Sequence, residues 1–307
     1  MEISGWTEGT FTVSTNRRDQ LPMGFNYQAN DFLLQNNWLR IERTVDTNAA
    51  TPSWGFRSDT ILPGSDYRFT IARGLFDGQL TANNGSPNQY GIDPVPFYGE
   101  AYFPNVGRGL DVKVGRFFAQ FGVESIDPTQ TPFVSRAYTF IYNPFTHTGA
   151  DALLKVTDAW SLLLGLVTGS DVFIDSAASP TFHGYVKWAP PNGRDSVQFA
   201  VIVGHGRYDN ADAFNNPEVF DLIYTHKFSD QLSYTLEALY SFQTGFPERG
   251  FVNDWGVVQY LTHQFAPTLS GTIQRDDTMG VLRRPAGLED RLRRHLYRRH
   301  RGARLQA

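Results

Sequence analysis

Hydrophobic and polar residues alternate along much of this chain with a period of two. The clearest segment runs from Leu232 to Gln243, where apolar or aromatic residues occupy the even positions and mostly polar residues occupy the odd ones. Side chains in a β-strand point alternately to opposite faces, so this pattern predicts a strand with one apolar and one polar face. Its length suits a tilted membrane crossing, which needs about 9–11 residues.

The same alternation recurs along the chain. Residues 110–118 and 146–156 each carry two charges on one face and apolar residues on the other. Weaker alternation occurs at 3–13, 32–44, 53–61, 96–104, 159–168, 181–189, 195–205, 217–228, 252–264 and 268–276. The pattern therefore predicts thirteen strands.

The connections between these strands alternate in length. Short connections are predicted at 45–52, 105–109, 157–158, 190–194, 229–230 and 265–267. Longer ones are predicted at 14–31, 62–95, 119–144, 169–180, 206–216 and 244–251. Tight turns at one rim and long loops at the other are typical of a transmembrane antiparallel β-barrel, and a soluble sandwich has no reason to separate them. Since bacterial single-chain barrels have an even strand number, we expect at least one closing strand besides the thirteen visible ones.

Composition supports the strand pattern. The chain has 24 Phe, 14 Tyr, 6 Trp, 28 Gly and 17 Pro, which favours strands and turns over helices. Charged residues make up only 19% of the chain, against about 25% in ordinary soluble proteins. No apolar run approaches about 18 residues, which excludes a transmembrane helix. The absence of cysteine excludes disulfide scaffolds, thiolate metal sites and cysteine nucleophiles.

Charge divides the chain into two predicted regions. Residues 283–307 hold nine arginines, whereas residues 1–282 hold 18 Lys and Arg against 29 Asp and Glu. We predict a barrel over 1–282, incomplete at its C-terminus, and an arginine-rich tail over 283–307 that arises from a frameshift or a mis-called end. A basic surface helix, with Leu288, Leu292 and Leu296 spaced by four, and a disordered arm are the alternatives. An acidic body argues against nucleic acid as a partner.

Several strings, in order, resemble one family of bacterial proteins. They are residues 65–70 (SDYRFT), 98–102 (YGEAY), 112–118 (VKVGRFF), 137–140 (AYTF), 144–149 (PFTHTG), 224–234 (YTHKFSDQLSY) and 254–261 (DWGVVQYL). Together they are similar to the β-barrel porin-2 family, the OmpL-like porins. The resemblance implies an outer-membrane porin in contact with lipids, through which small hydrophilic solutes or ions diffuse passively. Monomer and trimer are both compatible with it.

Two features depart from that family. Met1 to Trp6 shows neither the basic nor the apolar region of a signal peptide, and we expect that a signal was removed or that this start is not the natural one. The family's closing strands are replaced by the arginine-rich tail.

Charged residues on the polar strand faces are the candidate pore lining. A water-filled barrel has a polar interior, whereas its lipid face tolerates little charge. The predicted pore-lining residues are Arg57, Asp59, Asp111, Lys113, Asp151, Lys155 and Glu237. The alternative is that they form cross-strand salt bridges that only stiffen the wall. The acidic balance of residues 1–282 predicts a lumen that prefers cations.

The long connection at 119–144 is a candidate constriction loop. A connection of this length without periodicity is unusual unless it is functional. If it folds into the pore, Glu124, Asp127, Arg136 and Tyr138 would line the narrowest point, and Glu124 and Asp127 would affect selectivity most. A surface loop is the alternative.

The six tryptophans mostly fall near predicted strand ends. Trp and Tyr form girdles at the two membrane interfaces of barrels, so we predict this position for Trp6, Trp38, Trp54, Trp160, Trp188 and Trp255. Core packing in a secreted β-sandwich binding module would favour the same aromatics.

Catalytic and metal-binding motifs are absent. The chain has no G-x-S-x-G or H-E-x-x-H motif and no phosphate-binding glycine loop, so we predict no enzyme and no cofactor. An outer-membrane hydrolase is the weaker alternative and would depend on His147, which is better explained as a structural histidine at a strand end. Asp209, Asn210 and Asp212 with Asp221 have the oxygen ligands of Ca²⁺ but lack the spacing of a calcium loop, so no metal site is predicted.

Overall fold

The computed structural model describes residues 1–15, 25–131, 133–174, 178–204, 217–246 and 250–280. The fold is all-β, as predicted. Its strands are β1 Glu2–Phe11, β2 Phe32–Arg43, β3 Ser53–Gly64, β4 Gly91–Phe103, β5 Leu110–Phe118, β6 Thr146–Lys155, β7 Trp160–Ser170, β8 Thr181–Trp188, β9 Asp195–Val203, β10 Glu218–Lys227, β11 Leu232–Phe246, β12 Gly250–Ala266 and β13 Leu269–Gly280. Two short α-helices, α1 Tyr67–Thr70 and α2 Tyr138–Tyr142, lie in the connections after β3 and β5.

The thirteen strands form one sheet in which every strand pairs antiparallel with its neighbour in sequence. This up-and-down order confirms the predicted strand number and excludes a two-sheet sandwich for the described residues. No pairing joins β1 to β13 within the described residues, so the sheet is not closed there. No helix of the described residues is long and apolar enough to span a membrane.

The two sheet faces differ as the alternation requires. In β11, Glu237, Leu239 and Ser241 are buried on the inner face, whereas Tyr240 on the outer face is exposed. The apolar side of the Leu232–Gln243 pattern therefore faces outward. The inner face carries charged as well as apolar side chains and is covered in part by the long connections.

One predicted connection is wrong. Residues 244–251 were expected to form a long loop, but β11 continues to Phe246 and β12 begins at Gly250, with these two residues paired. On the β12 side the alternation holds, since Phe251 is exposed and Val252 is buried. Gly245, Pro247 and Gly250 gave the segment the sequence character of a turn, and residues 247–249 lie outside the described residues. The arginine-rich tail at 283–307 lies outside the described residues.

Candidate functional site in the barrel interior

Charged side chains line the inner face of β2 to β6, here called the charged wall. Its members are Arg40, Glu42, Arg57, Asp59, Glu100, Asp111, Lys113 and Asp151. At one end Asp59 accepts hydrogen bonds from two arginines, with Oδ2 3.0 Å from Nη2 of Arg40 and 2.6 Å from Nη2 of Arg57. Register explains the cluster, because Arg40 lies directly opposite Asp59 across the β2–β3 pair.

A second cluster surrounds Lys113 on β5. Its Nζ lies 3.4 Å from Oε1 of Glu100 and 3.6 Å from Oδ2 of Asp111. Asp151 stands directly opposite Lys113 on β6 and is buried. The predicted pore-lining residues on these strands thus face the interior and also pair with one another. Lys155 lies at the end of β6 beside the short turns and is exposed.

The connection between β5 and β6, residues 119–145, folds into the interior and is called the inner loop. Its Gly122 N–H donates to Oδ2 of Asp221 at 2.9 Å, and its Val123 N–H donates to Oε2 of Glu237 at 2.9 Å. Asp221 lies on β10 and Glu237 on β11, and both are buried. The loop therefore covers Glu237, which corrects its prediction as a pore-lining residue in contact with water.

Farther along the inner loop, Glu124 forms a second anchor. Its Oε1 accepts a hydrogen bond from the Tyr260 hydroxyl on β12, and its Oε2 accepts one from the Ala137 N–H, both at 2.8 Å. Burial raises the pKa of the Glu124 carboxyl above its usual value, while these hydrogen bonds oppose the shift. Glu124 is thus buried against the wall, and the expectation that its charge lines the narrowest point is wrong.

The other predicted loop residues also hold the loop in place. The Arg136 guanidinium donates to carbonyls of the inner loop and lies 5.4 Å from the ring centre of Phe25. The Tyr138 N–H donates to Asp276 on β13 at 2.8 Å, and its side chain is exposed. Oδ2 of Asp127 lies 3.9 Å from Nη2 of Arg40. The inner loop therefore extends from β10–β13 on one side to the charged wall on the other.

Aromatic residues from two other long connections and from the inner loop itself pack together in the interior. Phe25 stacks on Phe69 with ring centres 4.6 Å apart, and Phe140 packs edge-on against Phe145 at 5.3 Å. These rings and Ile126 belong to one buried apolar cluster with inward residues of β2 and β3. Nothing in the strand periodicity predicted this cluster, because connections have no fixed period.

Asp66, just before α1, is buried beside the same cluster. It accepts a hydrogen bond from Nδ2 of Asn36 at 3.0 Å, and the same amide donates to Glu8. Burial, opposed by this hydrogen bond, raises the pKa of Asp66 to about 7. The neutral acid is therefore the main form below that pH.

The tryptophans divide between the two faces. Trp54, Trp160 and Trp255 are 57%, 47% and 40% exposed and point outward, and Trp188 pairs with Trp160 at the short-turn rim. Trp38 is only 4% exposed, and its ring stacks on Trp6 with centres 5.0 Å apart. Trp6 and Trp38 share the inward face with Arg40, so their prediction as girdle residues is wrong. The girdle position of the outward tryptophans stays a prediction.

The sequence pattern singled out His147 but not the buried His183 beside it. His147 on β6 lies 4.9 Å, ring to ring, from His183 on β8. Nδ1 of His147 lies 3.1 Å from the Gly169 carbonyl, and the other three ring nitrogens have no hydrogen-bond partner among the described residues. No acid or hydroxyl orients either ring there, so the geometry does not favour the hydrolase alternative. Since His183 and His147 both face inward, alternation on β6 to β8 could have indicated the pair.

Two further polar features differ in whether the sequence reveals them. Asp221 alternates with aromatic Phe220 and Tyr224 along β10, which places it on the inner face. Arg116 and Asp93 form a fully buried ion pair at 2.8 Å that the sequence pattern did not reveal. The described residues contain no cluster of three or more histidines, aspartates or glutamates able to hold a metal. The Asp209 to Asp212 segment lies outside them.

A comparison with protein families agrees with this architecture. The family model described as "Putative beta-barrel porin-2, OmpL-like" matches residues 1–273. The comparison with curated proteins finds no match.

A solved structure of an outer-membrane channel shares the fold. The outer membrane channel DcaP of Acinetobacter baumannii aligns with a TM-score of 0.55 at 12% identity, over 94% of this chain and 81% of that one. A BenF-like porin from Pseudomonas fluorescens Pf-5 aligns at 13% identity with a TM-score of 0.47, over 91% of this chain and 66% of that one. At these identities the likeness to DcaP shows the fold alone.

Proposed function

The chain belongs to the Putative beta-barrel porin-2, OmpL-like family, and from this premise we propose that it is a narrow outer-membrane channel for passive diffusion of small hydrophilic solutes or ions. The observation that carries the proposal is the path of the inner loop. Glu124 binds Tyr260 on β12, and Asp127 lies 3.9 Å from Arg40 on β2. The loop thus crosses the interior and leaves the charged wall as the polar surface along which solutes pass.

The lumen prefers cations in this proposal. The charged wall holds five carboxylates against three cationic side chains. Its members on β4 and β5 reach water: the side chains of Glu100, Asp111 and Lys113 are 13%, 18% and 20% exposed. An excess of carboxylates along a narrow aqueous path raises the local concentration of cations.

Reversal potentials in planar bilayers under a KCl gradient test this proposal. We expect a cation-selective wild type, a shift toward anions in Asp111→Asn, and a shift toward cations in Lys113→Gln. Asp158→Asn is the matched control, because its side chain is 61% exposed and pairs with Arg108 beside a short turn, away from the wall. Absence of channels would refute the porin function. Channels whose ion selectivity is the same in the wild type, Asp111→Asn and Lys113→Gln would refute the charged wall as the surface that sets selectivity.

A further inference from the structure

Two buried acids beneath the inner loop have no cationic partner in the part of the chain that the structure describes. Asp221 is 0% and Glu237 1% exposed, and they lie on adjacent strands. Asp221 pairs with Leu239, two residues from Glu237 on the same face, so the two carboxylates are diagonal neighbours that repel each other. Neither forms an ion pair with Lys or Arg among the described residues.

Each acid uses only one oxygen for the inner loop. Oδ2 of Asp221 and Oε2 of Glu237 accept the loop N–H groups of Gly122 and Val123. Oδ1 of Asp221 and Oε1 of Glu237 are buried and have no hydrogen-bond partner among the described residues. Buried carboxylate oxygens without a partner are costly, which points to a missing ligand.

A third side chain points independently to a ligand. Asn143 is 5% exposed, and neither its amide oxygen nor its amide nitrogen has a partner among the described residues. A β-carbon placed on Gly122 would lie 3.3 Å from Nδ2 of Asn143 and 3.7 Å from Oε1 of Glu237, so both side chains border the same glycine. Gly122 has φ of +77°, a left-handed conformation that glycine adopts without strain.

The helix α2 supplies a fourth oxygen. Asn143 directly follows α2, and its N–H donates to the Thr139 carbonyl at 3.1 Å, so the two residues lie one helical turn apart. The Thr139 hydroxyl lies beside the Glu237 carboxylate and has no partner in good hydrogen-bond geometry. Gly256 on β12 gives it room, since a β-carbon there would lie 2.8 Å from Cγ2 of Thr139.

We propose that these four side chains bind one Ca²⁺ ion between the inner loop and the β10–β11 wall. The ligands are Oδ1 of Asp221, Oε1 of Glu237, Oδ1 of Asn143 and the Thr139 hydroxyl, and water completes the shell. Two uncompensated carboxylates match the charge of a divalent cation. The donors are all oxygen and come from β10, β11, α2 and the residue after α2. Such an irregular set fits Ca²⁺, which accepts 6–8 oxygens in variable geometry, better than Mg²⁺, which requires a strict octahedron.

Calcium titration of the full chain folded in detergent tests the site without reference to transport. After treatment with EDTA, the wild type should bind Ca²⁺ saturably in calorimetry, and its Tm should rise with Ca²⁺ and much less with Mg²⁺. Asp221→Asn and Glu237→Gln should each lower the affinity roughly 10-fold or more, since even groups behind the ligands change metal affinity by about 10–100-fold.

Asp276→Asn is the matched control, because Asp276 also accepts an inner-loop N–H but lies on β13 outside the proposed ligand set. It should keep the affinity of the wild type. No saturable binding by the wild type would overturn the site, as would an equal loss of affinity in Asp276→Asn. If the Tm rises on acidification and does not change with Ca²⁺, Asp221 and Glu237 share a proton instead of binding a cation. None of these outcomes depends on channel activity.

Discussion

The two sides of the barrel interior use carboxylates differently. On the charged wall, Asp59 and Asp111 pair with cationic side chains on the same or neighbouring strands. On the β10–β13 side, Asp221, Glu237 and Asp276 accept backbone N–H groups of the inner loop. A carboxylate bound to another wall side chain leaves the interior open beside it, whereas one bound to loop backbone closes the interior. The group that an inward-facing carboxylate binds, a wall side chain or the loop backbone, therefore decides its role more than its inward position does.

Removing Asp59, the carboxylate that Arg40 and Arg57 share on the charged wall, should give the largest loss of stability among these predictions. Asp59→Ala removes this carboxylate from between the two guanidinium groups, and Asp127, 3.9 Å from Arg40, remains as a more distant anion. We expect the free energy of unfolding to fall by about 2–3 kcal/mol, less than the roughly 3–5 kcal/mol of a fully buried pair because both arginines keep some contact with water. Denaturant unfolding in detergent measures it. Asp158→Ala at the exposed rim should cost under about 1 kcal/mol, and an equal loss in both variants would contradict the prediction.

Removing a loop anchor should affect conductance more than stability. Glu237→Ala leaves the Val123 N–H without its acceptor, at a cost of about 1–3 kcal/mol. Because the inner loop is then held less firmly, we expect a larger and noisier single-channel conductance. Ser233→Ala, on the same face of β11 but nearer the short turns, is the control and should conduct like the wild type. An unchanged conductance in Glu237→Ala would show that the loop does not narrow the path.

Asp66, a buried acid whose pKa is raised, allows the pH dependence of stability to be tested. Its pKa is about 7 in the folded protein, against a usual value of 3.8. A raised pKa means that its contribution to stability is complete below about pH 4 and is lost as pH rises through about 7. We expect the wild type to lose stability between about pH 4 and about pH 7, by up to about 1.4 kcal/mol per pH unit from this group. Asp66→Asn should remove this component while Asp158→Asn keeps it; identical slopes in all three proteins would refute the assignment.

The sequence predicted the strands well because their signal is local. Alternation placed all thirteen strands and put Arg57, Asp59 and Lys113 on the inner face. It failed at 244–251, where Gly245, Pro247 and Gly250 resemble a turn in the sequence although Phe246 and Gly250 are paired strand residues. A period of two shows which side chains share a face of the sheet. Whether that face meets water or lipid can be inferred only from the composition of the face.

The inner loop shows what the sequence could not reveal. Its inward fold was one of two predicted alternatives, yet Glu124 was assigned to the pore and is instead bound to Tyr260. Trp38 was assigned to the membrane interface and is instead covered by the apolar cluster. Both errors have one cause: whether an inward residue meets water or a loop depends on contacts between residues far apart in sequence, which no local pattern encodes.

These contacts also order the events of folding. Every strand pairs with its neighbour in sequence. We therefore expect the sheet to grow by adding hairpins whose ends are close together and whose loop-closure entropy is small. The bonds of the inner loop to Asp221, Glu237 and Asp276 instead join residues 99, 114 and 138 positions apart. The loop can dock only after β10 to β13 exist to receive it. Weakening its anchors should consequently accelerate unfolding while leaving the rate of refolding almost unchanged.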